Sequence, residues 1–250
     1  MAWYRCSGDP SVLTTLQHIV ARDTDELSTS LITNVGRYTF YGWSGLKTVN
    51  LPQAVSLDYG AFYQCSDITS VSIPNATTIG SYAFYNCGNM TSISMSNVTT
   101  IDGDAFYNCG KLAQAIDLPY LTTISSEVFR RCYKITSGNF PLATAVGSSA
   151  FQDDGELTIL DFGAVTSIGG QAFWSASKLA TVIIRTNQVA TLSSINAFSG
   201  TPFNNTSSGG ILYVPQSLIS SYQSANNWST ILGYDNNQIL AIEGSPYENI

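Results

Sequence analysis

The chain has 250 residues, 44% of them hydrophobic and 12% aromatic, with only 11% charged and a formal net charge of −7. That length holds ample material for a core, and charge far below the usual quarter leaves Ser, Thr, Asn, Gln and Tyr to wet the surface. Ten scattered basic residues make no patch able to neutralise a phosphate backbone, and no apolar run approaches the roughly 18 residues of a membrane helix, so neither nucleic acid nor membrane insertion is expected.

The opening stretch, MAWYRCSGDPSVLTTL, has neither a basic n-region nor a continuous apolar h-region, so no secretory signal is read there. A cytoplasmic protein, a trimmed fragment and a phage component all fit that start. Residues 1–34 read as an N-terminal cap and a degenerate first coil, in which LTTLQHIVAR suits a strand or a short helix.

Residues 35–205 repeat. An Ala-Phe pair or its equivalent recurs with Phe40, Phe62, Phe84, Phe106, Phe129, Phe151, Phe173 and Phe198, at intervals of 22, 22, 22, 23, 22, 22 and 25 residues. Apolar residues keep step five before the marker (Leu57, Ile79, Ile101), six after (Ile68, Met90, Leu112), nine after (Val71, Ile93) and eleven after (Ile73, Met95). The copy carrying Phe106 has one residue extra, which moves its pair to Ile116 and Leu118. Apolar residues flanking a polar one, as in Val71-Ser72-Ile73, have the strand period of two. The proline that follows (Pro52, Pro74, Pro119, Pro141) ends the strand because it lacks a ladder donor. So short a strand buries its apolar side only when copies stack into one continuous core. At the roughly 4.8 Å spacing of paired strands, eight coils make a stack about 38 Å long.

Residues 206–250 read as a C-terminal cap of strand, short helix and strand, within one domain overall. ILYVP is the strand, ended by Pro215. Ser217 is placed to N-cap a helix whose Leu218, Ile219, Tyr222 and Ala225 share a face. QILAIEGSPYENI supplies one more short strand.

The A-F-x-x-C-x-x-L-x-x-I-x-I-P blocks over roughly residues 35–200 resemble the BspA-like (LRR_5) class of leucine-rich repeats, found in bacterial surface proteins and in phage or prophage proteins. ILYVPQSLISSYQSANNWSTI resembles the ending common in such proteins. The resemblance implies a leucine-rich repeat solenoid: parallel short strands in about eight 22-residue coils, irregular or short helical turns opposite them, and atypical caps at both ends. It also implies an extracellular, cell-surface or phage-particle location, and it implies no particular ligand.

Chemical candidates are sparse. Cys65, Cys87, Cys109 and Cys132 each follow a marker Phe by three residues, so they form a ladder rather than a converging metal tetrahedron. Trp43, Asp154, Ala176 and Thr201 fill the same slot elsewhere, so Cys is read as a small packing residue. Parallel side-chain vectors suit disulfides poorly, and five cysteines is an odd number for a disulfide framework. Cys6, outside the repeat, is the candidate exposed thiol. His18 is the only histidine and supports neither a triad nor a metal site. The acidic runs DTDE (23–26) and QDDGE (152–156) lack calcium-loop spacing and are read as solvated loops. Sequons at Asn75, Asn97, Asn205 and Asn227 are read as accidents of an Asn- and Thr-rich repeat. No catalysis, cofactor or metal is expected.

Two kinds of row remain. The outward strand residues, Asn50, Ser72, Ser94, Asp117, Asn139, Asp161 and Ile183, are mostly small and polar and read as a solvated face. The row after the marker runs Tyr41, Tyr63, Tyr85, Tyr107, Arg130, Gln152, Trp174. Its four consecutive tyrosines would stack over about 15 Å at sheet spacing, and they are either a recognition stripe or a roof over the Phe core. The expected function is a non-catalytic adhesion or recognition module, monomeric, binding a glycan or protein through Tyr41, Tyr63, Tyr85, Tyr107 and Trp174. The alternative is a structural spacer or assembly domain, phage tail-associated, without a specific ligand.

Overall fold

The computed structural model describes residues 25–204, 209–232 and 238–249. Cys6, His18, the LTTLQHIVAR element and the Asn205 sequon lie outside them. The described chain is a β-solenoid of about eight stacked repeats whose strands all pair in parallel, one coil against the next.

In one representative coil, strand Ser70–Ser72 points Val71 inward, and Ile73 follows it into the core. Its register is Thr48↔Ser70↔Ser92, the repeat length of 22 residues. The chain turns at Pro74 and forms a second strand, Thr78–Ile79, with Ile79 buried. These two-residue strands join into an eight-stranded ladder from Asn34–Val35 to Thr191–Leu192. The sequence suggested one strand per coil. The second forms because threonines before it clamp the preceding coil: Thr99 Oγ1 donates to the Thr77 carbonyl at 3.1 Å and Thr144 Oγ1 to that of Thr122 at 3.1 Å.

The segment bearing the marker Phe is irregular, with left-handed residues two before and two after it, as at Tyr82 (φ 60°) and Asn86 (φ 59°). That alternation turns successive N–H groups in opposite directions. Phe84 and Asn86 donate to Ala105 and Tyr107 of the next coil at 2.8 and 2.9 Å. Ala83, Tyr85 and Cys87 donate back to Gly80, Tyr82 and Phe84 at 3.2, 3.1 and 3.1 Å. The backbone of this edge is therefore paired throughout, as buried peptide groups require.

The marker rings form a buried column. Phe62–Phe84 and Phe84–Phe106 stack with centroids 5.3 Å apart, and Phe106–Phe129 and Phe129–Phe151 at 5.5 Å. Beside it, Cys65, Cys87, Cys109 and Cys132 are free and fully buried. Each Sγ donates to the carbonyl of the preceding coil's marker: Phe40, Phe62, Phe84 and Phe106, at 2.9, 3.2, 3.2 and 3.1 Å. Packing is the role observed.

The extra residue in the Phe106 coil has a local consequence. The first strand face divides into a four-stranded ladder ending at Ser92–Ser94 and a six-stranded one beginning at Ile116–Asp117. The Gln114 carboxamide fills the gap: its Oε1 accepts from Ile93 N–H at 2.9 Å and its Nε2 donates to the Ile93 carbonyl at 3.0 Å. One side chain thus reproduces the two bonds of a missing rung.

Downstream, Gln216–Leu218 is a 3-10 turn leading into helix Ile219–Ser224, and a second short helix spans Trp228–Ile231. Ser217 sits inside the 3-10 turn and makes no side-chain cap, contrary to the sequence expectation. Tyr222 and Trp228 are buried against the last coil: Ala190 N–H donates to the Tyr222 hydroxyl at 2.9 Å, and Trp228 Nε1 donates to the Ala190 carbonyl at 2.6 Å. Asn227 Nδ2 reaches the Leu192 carbonyl at 2.6 Å. Side chains here take the place of the next rung of the second ladder. Strand Ile239–Ala241 pairs with Ile211–Val214.

Candidate functional site

The irregular edge places the residue after each marker outside the Phe column. Tyr41, Tyr63, Tyr85 and Tyr107 form a face-to-face stack, with centroids 5.5, 4.9 and 4.7 Å apart and interplanar angles of 15°, 5° and 9°. Tyr41 is 55% exposed and the other three are half-buried. Arg130 takes the row's next place, and the guanidinium groups of Arg130 and Arg131 lie 5.6 and 5.8 Å over the Tyr107 ring, within cation–π range. Trp174 is half-buried two coils beyond Arg130, past Gln152, so the structure does not bring it to the tyrosines.

Three further tyrosines join them. Tyr38 meets Tyr41 edge-on at 5.8 Å and Tyr59 at 5.3 Å, Tyr59 meets Tyr82 at 5.2 Å, and Tyr82 meets Tyr85 at 5.5 Å. Arg37 covers Tyr59 at 4.4 Å. Glycine at 60, left-handed (φ 60°), makes room for this: a Cβ there would lie 2.5 Å from the Tyr38 ring. Sequence reasoning missed these three because they occupy different places in the repeat, two, three and two residues before their markers. The available signal was the excess of Tyr around the first four markers.

The polar surroundings are uneven. Tyr41 donates to Gln64 Oε1 at 3.2 Å, whereas the hydroxyls of Tyr63, Tyr85 and Tyr107 make no hydrogen bond among the described residues. Burial, then the neighbouring phenols, pushes the Tyr63 and Tyr85 hydroxyls above their usual range, so both stay protonated donors. Nearby Asp104, through its charge, and burial do the same to Tyr82. Asp104 is itself raised by burial and by Glu127, whose Oε2 accepts from Arg130 Nη1 at 2.8 Å.

The remaining candidates do not converge. Among the described residues no group of three His, Cys, Asp or Glu side chains is placed to hold a metal ion. Burial pushes the Cys65 thiol up to about 12, and it raises Cys87 and Cys132 strongly as well, away from the range of a reactive thiolate. In QDDGE the carboxylates diverge. Asp153 faces Arg131 at 3.5 Å, Glu156 faces Lys178 at 2.6 Å, and Asp154 is fully buried in the cysteine slot rather than solvated as the sequence suggested. On the strand face, Ile183 is buried instead of outward-exposed. Asp161 and Tyr213 flank it in register, and Arg185 closes over the same face with bonds of 2.9 and 2.7 Å to the Asp161 carboxylate. Among the described residues no helix is long and apolar enough to cross a membrane.

Comparison with known proteins gives the family. The profile of the BspA type leucine rich repeat region matches residues 25–136 and 105–226, with six copies. No curated protein matches the chain. Among solved structures, it is similar to the leucine rich repeat protein TpLRR of T. pallidum, with 22% identity over 62% of this chain and 76% of that one and a TM-score of 0.56. It also resembles a leucine rich cell surface protein of Faecalibacterium prausnitzii A2-165 (21% identity, 60% of this chain, 57% of that one, TM-score 0.40). A third is a leucine-rich repeat protein of Bacteroides ovatus (17% identity, 88% and 66%, TM-score 0.45). At these identities the likeness concerns the fold alone. With the repeat profile covering most of its length, the chain belongs to the BspA type leucine-rich repeat family.

Proposed function

We propose that this chain is a non-catalytic interaction module that recognises a protein or glycan through the stripe Tyr41, Tyr63, Tyr85 and Tyr107, broadened by Tyr38, Tyr59 and Tyr82. The observation that carries this is the run of three stacked tyrosines whose hydroxyls have no hydrogen-bond partner among the described residues. Tyrosine supplies contact area at low entropic cost and a polar tip. Trp174 stands apart and adds, on this reading, a separate contact. Family membership supports a location at a cell surface; the reading also admits a phage particle, and the module acts as a monomer.

A second reading, a spacer without specific ligand, is favoured by the flat faces. There the polar side chains bond the neighbouring coil, as Thr69, Thr91 and Thr158 do to the carbonyls of Lys47, Thr69 and Thr136. Saturable binding of labelled protein to mucin, matrix proteins and bacterial envelopes separates the two. Recognition predicts binding that falls at least tenfold in a folded Tyr63→Ala/Tyr85→Ala/Tyr107→Ala variant, since a hot-spot tyrosine contributes about 2 kcal/mol. No saturable binding to any of them supports the spacer.

A further inference from the structure

The stripe offers edges and hydroxyls, not ring faces. Tyr63 has Tyr41 on one side and Tyr85 on the other, at 5.5 and 4.9 Å and nearly parallel. Tyr85 lies between Tyr63 and Tyr107, and guanidinium groups cover Tyr107. A pyranose that stacks on an aromatic side chain needs a free face, and the three central rings have none. What remains exposed is a row of phenol donors and ring rims.

Each phenol has a proton to donate, so the row suits a ligand rich in acceptors and periodic on the same scale. A polyproline II helix has unpaired carbonyls all along it and, when built of proline, no backbone N–H. Its turn of three residues advances about 9.3 Å, close to two successive steps of the stack, 4.9 and 4.7 Å. An extended strand repeats every two residues at about 6.8 Å, which matches neither one step nor two. Beside the row stands Asp104, which shares a hydrogen bond with the Tyr82 hydroxyl. Arg130 is engaged by Glu127 instead, so this carboxylate has no ion-pair partner among the described residues and can take a cation on the ligand.

We propose that Tyr63, Tyr85 and Tyr107 dock a proline-rich polypeptide segment in the polyproline II conformation, the Tyr63 and Tyr107 hydroxyls donating to carbonyls one turn apart, Tyr85 lining the contact between them and Asp104 receiving a basic residue beside the proline run. This rests on the stripe being the docking face and narrows its partner to protein.

The test is fluorescence anisotropy with a labelled oligoproline peptide ending in one arginine, against a Gly/Ser peptide of equal length and charge and a panel of neutral oligosaccharides. The informative variant is Tyr63→Phe/Tyr85→Phe/Tyr107→Phe, which removes three hydroxyls and keeps the rings; Phe rings already stack at 5.3 Å in the adjacent column. Expected are saturable oligoproline binding, a loss of roughly tenfold or more in the Phe variant, and a several-fold loss in Asp104→Asn confined to the arginine-bearing peptide. Absence of oligoproline binding, or equal binding by the Phe variant, overturns the proposal. If oligoproline fails while mucin or matrix binding persists and is lost in the Ala variant, only the polyproline assignment falls. If the Ala variant loses nothing, the stripe falls with it.

Discussion

Replacing Asp154 tests the coil assignment at its most exposed point. Asp154 occupies the slot that holds cysteine in four other coils, fully buried, with Oδ1 accepting from Cys132 N–H at 2.8 Å and Oδ2 without a partner. Burial raises its pKa well above the ordinary carboxylate value, against the lowering effect of that bond and with a small push from Asp153. The folded state therefore keeps a proton that the unfolded chain releases near pH 3.9. Stability is then greatest below that pH and falls as pH rises toward the folded pKa, by up to about 1.4 kcal/mol per unit. Asp154→Asn keeps the acceptor and places an amide donor where Oδ2 stands, and Asp154→Cys restores the slot of the other coils. At pH 8 both variants, having no carboxyl to ionise, should be more stable than the native chain: Asp154→Cys, which removes the unsatisfied Oδ2, by roughly 1–3 kcal/mol, and Asp154→Asn by less, since its amide nitrogen takes the same unpartnered place. Urea unfolding from pH 4 to 9 reads this out. The difference between native and Asn curves isolates residue 154, because Asp153, Glu156, Arg131 and Cys132 are common to both. Parallel curves with no stability difference would mean that Asp154 is ionised and hydrated, and the slot assignment would be wrong.

Other perturbations probe separate parts of the solenoid. Phe84→Ala, at the middle of the ring column, should lose about 3–5 kcal/mol by urea unfolding, and a loss below about 1 kcal/mol would contradict the column. Gln114→Ala leaves the N–H and carbonyl of Ile93 unpaired beside the one-residue insertion. It should lose roughly 1–3 kcal/mol and speed amide exchange at Ile93; unchanged exchange would show that the side chain is no substitute rung. Cys65, Cys87, Cys109 and Cys132 should react with a water-soluble thiol reagent only after denaturant is added, whereas rapid native labelling would contradict their burial.

The 22-residue period was legible because the core is one-dimensional. Every coil must fill the same cross-section, so Phe84, Ile79, Met90 and Ile93 recur in step and announce the inward face. The cysteine slot was legible for the same reason. What escaped depends on contacts between coils. Ile183 has the alternation of an outward residue, and only Asp161, Arg185 and Tyr213 of its own and adjoining coils enclose it. Gln114 reads as an unremarkable polar residue until the insertion breaks the ladder beside it. Ser217 has cap chemistry, but the chain tightens into a 3-10 turn there. The stripe was half legible: the row Tyr41, Tyr63, Tyr85, Tyr107 follows from period alone. Tyr38, Tyr59 and Tyr82 reach it through left-handed backbone at Tyr38, Gly60 and Tyr82, a feature no side-chain pattern encodes.

On the proposed reading, one edge of the solenoid, the tyrosine stripe, is its docking face. The most direct measurement compares the Tyr63→Ala/Tyr85→Ala/Tyr107→Ala variant with a control on the second ladder, Thr78→Ala/Thr100→Ala/Thr123→Ala, in saturable binding to the same mucin and matrix targets, with folding checked by urea unfolding. A docking face at the stripe requires that the tyrosine variant lose binding at least tenfold while the threonine variant matches the native chain. Equal binding by all three, or loss in the threonine variant alone, would contradict it.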